Sequence, residues 1–235
     1  MTAVFKREFR AYFMSPLGYT FIAIFMLISG LFFLSSNILE QSSRFILTLG
    51  SITFIFALLV PVLTMRSFAE EKKSKTDQLI LTAPIKLSDV VLGKFLAATS
   101  VIMIALAATM VFPFILLLFN ANIEIWTTIG GYLGNLLIGM ALISIGMFIS
   151  SMTENQLTSA VVSITVFLFM LLIDSLRSMF VSGWLYEVLG WISMFSRMDT
   201  FSAGILSLPS VFYYLSITVL FLFLTTRMIE KRRWS

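Results

Sequence analysis

Long apolar runs separated by short polar turns dominate the chain. Five of them approach or exceed the ~20 residues a helix needs to cross a bilayer: Leu17–Leu39, Phe45–Met65, Val90–Phe119, Thr127–Met152 and Leu157–Ile173. A sixth runs from Val211 to Ile229. Another apolar stretch, Met179–Phe195, is interrupted by Gly183, Glu187 and Gly190 and carries Trp184, Tyr186 and Trp191. Before the first run, Phe5, Phe9, Tyr12 and Phe13 recur at one-face helical spacing, with Lys6, Arg7 and Arg10 away from that face. This pattern predicts an amphipathic basic helix over 1–15, suited to an inner membrane surface or to a cytoplasmic partner. Pro16 is expected to end it, because the residue before a proline disfavours the α region. The expectation is an all-α polytopic membrane protein with six transmembrane helices, formed by residues 1–235 as a single transmembrane domain.

Composition narrows the chemistry. Of 235 residues, 59% are apolar and 12% charged, and the mean hydropathy is +0.99. A soluble domain of this size could not hide so much apolar surface. With no His and no Cys, the common zinc sites, thiol nucleophiles, disulfides and His-dependent triads are excluded. No metal or cofactor is expected on this chain. The net charge of +4 is decided by its distribution rather than its sum, and nucleic acid is not an expected partner.

With a cytoplasmic N-terminus and six spans, 13 of the 16 Lys and Arg residues fall on the inner side, and only Arg44, Arg177 and Arg197 fall outside. A seventh span at Met179–Phe195 would turn Arg227, Lys231, Arg232 and Arg233 outward, so that stretch is expected to be a re-entrant or interfacial external hairpin within region 177–208. The first run is long and lacks a small-residue cleavage pattern, and it is expected to be a retained span.

The longest polar stretch, 66–89, holds Glu70, Glu71, Lys72 and Lys73. Ser74 with Asp77 matches a capping box, which would start a short helix through Leu79, Ile80 and Leu81 that stops before Pro84. Exposed leucines in a charged loop suit a docking knob for a partner groove; a helical hairpin lying on the membrane surface fits the same residues. Asp174 and Arg177, one turn apart near the outer end of the fifth span, are a candidate pair. Gly130 and Gly134 form a GxxxG, and Pro61 and Pro113 are expected to kink the second and third spans. Lys94 follows Gly93, but the upstream glycine and the following Ser or Thr of a nucleotide-binding loop are missing. Any ATP must therefore be held by another subunit.

Three stretches, in this order and spacing, resemble the permease subunits of bacterial ABC-2 type transporters, particularly the gliding-motility (GldF-like) branch. The first is Lys6-Arg7-Glu8-Phe9-Arg10 with Tyr12 to Tyr19 and Ser29-Gly30-Leu31-Phe32-Phe33. The second is Arg66 through Pro84-Ile85 and then Leu92-Gly93-Lys94-Phe95; it is similar to the family's acidic–basic run, Gly-Thr and Leu-rich turn ending in Thr-x-Pro, except that Lys75 stands before Thr76 where the family often has Gly. The third is Phe201 to Ile205 with Tyr213 to Ser216, ending in Glu230-Lys231-Arg232-Arg233-Trp234.

The resemblance implies a type V exporter-like fold with an amphipathic connecting helix, a cytoplasmic coupling helix between spans two and three, and a re-entrant external hairpin. It implies a bacterial inner-membrane protein with both termini cytoplasmic, working as a pair of permeases, identical or similar, with two ABC ATPase subunits that hold ATP and Mg. It leaves room for an accessory extracytoplasmic subunit. On this reading Glu70, Glu71, Ser74, Thr76, Asp77, Leu79, Leu81 and Pro84 couple to the ATPase, and Phe5, Lys6, Arg7, Phe9, Arg10 and Phe13 form the interfacial helix. Spans two and five would line the path, with Phe54, Phe56, Phe167 and Phe169 as candidates whose facing the periodicity does not choose. Export of an amphiphilic or lipid-like substrate or a peptide is expected, since no feature suggests docking of an external binding protein. An ion-gradient transporter and a scaffold recruiting an ATPase are the rivals; the lack of a mid-span acid argues against the former.

Overall fold

The computed structural model describes residues 1–76, 86–119, 121, 124–179, 183–205 and 207–233. Every regular element among them is a helix, and six helical stretches are long and apolar enough to cross a membrane: Pro16–Leu39, Ile46–Lys73, Leu87–Leu118, Ile125–Met152, Gln156–Arg177 and Leu208–Arg232. The chain is thus the expected all-α, six-span protein.

Helix α1 spans Thr2–Met14 and α2 spans Pro16–Phe33, with a π-helical extension at Leu34–Leu39. Ser15 between them is extended (φ −91°, ψ 157°), as the residue before a proline must be, and Pro16 sits at the start of α2, where its missing N–H costs nothing. The second span, α3 (Ile46–Thr64), keeps Pro61 inside its last turn. The third span is α5 (Leu87–Thr109) followed by α6 (Val111–Leu118), with the break at Met110. Pro113 explains the position: its ring crowds the carbonyl four residues back, on Thr109, the last residue of α5.

The fourth span, α7 (Ile125–Met152), is the axis of the subunit; it packs against α3, α5, the fifth span α8 (Gln156–Met179) and the sixth, α11 (Leu208–Arg233). Its glycines serve this interior rather than an outer face. A Cβ at Gly130 would lie 2.7 Å from the carbonyl oxygen of Phe201, and one at Gly134 would lie 3.0 Å from the Phe201 side chain. The GxxxG therefore admits the short helix α10 (Met198–Ser202).

Between α8 and α11 the chain forms α9 (Trp184–Ile192) and α10 in place of a seventh span. Trp184 and Trp191 are exposed on α9, while Met194, Phe195, Met198 and Phe201 turn back into the core. The stretch expected to be a hairpin rather than a span thus forms two short helices.

Short helix α4 (Ala69–Lys73) lies in the stretch expected to be a loop before the coupling helix. The Ser74 hydroxyl donates back to the carbonyls of Glu70 and Glu71, closing α4; the helix it was expected to cap lies outside the described residues. Asp77, Leu79, Leu81 and Pro84 lie outside the described residues.

Candidate functional site: a charged joint at the polar end of the bundle

Helix α1 lies along α5, with Val4, Phe5, Glu8, Phe9, Tyr12 and Phe13 half-buried and Lys6, Arg7 and Arg10 exposed. Phe5, Phe9, Phe13 and Tyr19 form a ladder of rings with centroids 5.8, 5.0 and 5.4 Å apart. The close approach to α5 requires a glycine. A Cβ at Gly93 would fall 2.9 Å from the Cβ of Val4.

The next residue, Lys94, holds α1 in place. It is only 3% exposed, and its ammonium lies 2.8 Å from Glu71 Oε1 and 3.3 Å from Glu8 Oε1. Arg7 closes the group, with Nη2 at 2.6 Å from Glu8 Oε1 and 3.3 Å from Glu71 Oε1. Two cations and two carboxylates thus form a neutral quartet that ties α1, α4 and α5 together. The Phe68 ring lies 5.3 Å from the Lys94 ammonium. A buried charge is tolerable only when it is paired and hydrogen-bonded, which this arrangement provides. The hydrogen bond to Glu8 raises Arg7 above its ordinary pKa, and burial pushes the Tyr12 phenol up.

Neighbouring contacts extend the joint. The Tyr12 hydroxyl donates to the carbonyl of Leu63 at 3.2 Å, and Arg66 forks onto Glu70 at 2.5 and 3.0 Å. A polar cleft of about 60 Å³, with room for water, lies among Glu8, Tyr12, Arg66, Ser67 and Glu70. The free N–H groups at the start of α4, on Phe68 and Ala69, both donate to the Ser150 hydroxyl of α7 at 3.2 Å. Lys72 reaches the carbonyl of Ser151. Helix α4 is therefore held from both sides, immediately before the undescribed 77–85. The outward face of α1, with Lys6, Arg7 and Arg10, borders an open concavity of about 510 Å³.

At the other end of α4, Lys75 takes a left-handed backbone (φ 57°). Its N–H bonds the carbonyl of Lys72 at 3.1 Å, and that of Thr76 bonds Glu71 at 2.9 Å, the paired bonds of a Schellman stop. Thr76 and Ser74 hydroxyls lie 2.9 Å apart. The four path candidates divide: Phe56 and Phe167 are fully buried inside the subunit, whereas Phe54 and Phe169 are exposed on its outside. Phe56 stacks on Phe25 at 5.4 Å.

Sequence reading passed over Lys94, weighing it only as a nucleotide-loop lysine. The signal was present: a lysine a few residues into an apolar span needs a partner. Which acids supply it was not legible, because Glu8 and Glu71 come from two other elements.

The family model described as "ABC-2 family transporter protein" matches residues 2–229. No curated protein matches the chain.

Proposed function

The chain belongs to the ABC-2 transporter family, and from that premise we propose that it is the transmembrane permease subunit of an ATP-driven exporter. Membership makes it a multi-pass transport protein that partners an ABC ATPase. The finer reading is ours: two ATPase subunits carry ATP and Mg, two permeases of this kind, identical or similar, enclose the path, and both termini face the cytoplasm of a bacterial cell. We also place it nearest the gliding-motility branch.

The observation that carries this reading is the quartet of Arg7, Glu8, Glu71 and Lys94. It joins the interfacial helix, the segment leading into 77–85 and the third span into one stiff unit. A push by the ATPase on residues 74–82 would be delivered to α1 and α5 together rather than absorbed by a soft loop. Rigid-body tilting of the first, second and fifth spans would then reshape the path. Phe54 and Phe169, exposed on spans two and five, suit an amphiphilic substrate.

The test is a pull-down of tagged protein, expressed in its native host, from mild detergent. A P-loop ATPase should co-purify in stoichiometric amount. The variant Leu79→Glu/Leu81→Glu should insert normally and lose it. Normal co-purification by that variant refutes the docking role. Purification of the wild-type chain alone favours a gradient-driven transporter, and a bound ATPase whose hydrolysis ignores the permease favours a scaffold.

A further inference from the structure

The fifth span is the least buried of the six, with 22% of its apolar window buried against 28% for the first and sixth and 72% for the fourth. One face of α8, including Val161, Leu168, Phe169 and Leu172, is exposed. At its outer end, however, α8 is held by polar bonds to the turn between α9 and α10. The Asp174 carboxylate accepts the N–H of Phe195 at 3.1 Å and that of Ser196 at 3.3 Å, and it accepts the Ser193 hydroxyl as well. Phe195 is buried, so without Asp174 its N–H would be an orphaned donor, and the half-buried Ser196 N–H would lose its acceptor. One turn on, Arg177 Nη1 donates to Ser196 Oγ at 2.6 Å, and its guanidinium lies 4.6 Å from the Tyr186 ring.

The same turn is gripped from the opposite side. The buried Tyr214 hydroxyl of α11 donates to the carbonyl of Met194 at 2.7 Å. Helix α11 packs along α7, the axis of the subunit, and α10 packs on α7 too. The turn therefore belongs to the rigid body; α8 packs on α3 and α7 along its length, and at its outer end the polar bonds of Asp174 and Arg177 tie it to the turn. Apolar packing yields gradually along an interface; hydrogen bonds are lost over a fraction of an ångström. The weak seam runs between Asp174 and the turn.

We propose that Asp174, assisted by Arg177, is a latch that clasps the outer end of the fifth span to the re-entrant turn, and that its release opens the external end of the path. This rests on the reading above that span five lines the path. Asp174 acts by positioning the turn and need not touch substrate.

Hydrogen exchange at the amides of Phe195 and Ser196 tests the latch in the permease–ATPase complex in nanodiscs. In the resting wild type both amides should be protected, and trapping with ATP and vanadate should speed their exchange at least tenfold. Asp174→Asn should show comparable exchange already at rest. Because the chain has no cysteine of its own, Asp174→Cys/Ser193→Cys gives an unambiguous cross-link; once oxidised it should cut ATP turnover more than tenfold, with recovery on reduction and no effect in either single variant. Unchanged protection in the trapped wild type, a cross-linked complex that turns over normally, or a pair that does not cross-link overturns the latch. If no ATPase co-purifies, the subunit reading fails separately, and equal resting exchange in wild type and Asp174→Asn still refutes the latch.

Discussion

Lys94 shows how much one buried charge can organise. Its ammonium has two carboxylate neighbours from two other elements, and Arg7 neutralises the remainder. Removing the lysine leaves Glu8 and Glu71 facing each other with little solvent. Breaking a buried pair from one side costs about 3–5 kcal/mol, far more than an exposed pair contributes. Lys94→Met should therefore lower the thermal midpoint in detergent by several degrees. Lys94→Met combined with Glu71→Leu should recover part of the loss, since the substitutions share one network. Equal melting of wild type and Lys94→Met would show that the quartet carries no stability.

At the scale of elements, local chemistry explains where helices stop. Pro16 starts α2, and Pro113 breaks the third span at Met110 by crowding the carbonyl of Thr109. Helix α4 ends in a Schellman turn whose left-handed position holds Lys75 rather than glycine. A side chain there costs about 1 kcal/mol. Lys75→Gly should therefore tighten the stop and slow hydrogen exchange at the amides of Lys75 and Thr76 by about fivefold, the factor that 1 kcal/mol commands. Faster exchange would mean that the freedom glycine adds to the open chain outweighs the relieved strain. Helix α4 itself escaped sequence reading because five residues make too short a period to recognise, and its first N–H groups are satisfied by Ser150 of a distant helix.

For the whole molecule, six spans place both ends of the bundle's charged network together: the Arg7–Lys94 quartet and the contact of Arg232 with Glu154 at 3.4 Å. On the positive-inside rule we propose that this end is cytoplasmic. A cysteine at Glu187, exposed on α9, should react with an impermeant maleimide in intact cells, and one at Glu154 should react only after permeabilisation. The opposite pattern would invert the topology. The fold was largely legible, since the expected spans fall within the observed ones apart from end residues. Of the candidate site, the sequence showed Lys6, Arg7 and Arg10, the aromatic face behind them, and Glu70 and Glu71 of the acidic run, but not the pairing of Glu8 and Glu71 with Lys94.

The sequence by itself determined the helical class and the number and order of spans. Apolar length decides these, because in lipid every backbone polar group must bond within its own helix. Only the tertiary structure decided which helix faces meet. In an all-apolar span, lipid-facing and protein-facing sides have the same polarity, so periodicity is silent. It could not tell Phe56 and Phe167, buried, from Phe54 and Phe169, exposed. Nor could it send Gly130 and Gly134 inward against Phe201, bring Glu8 and Glu71 to Lys94, or set Asp174 on the turn at Phe195. Those pairings depend on close packing between segments far apart in the chain.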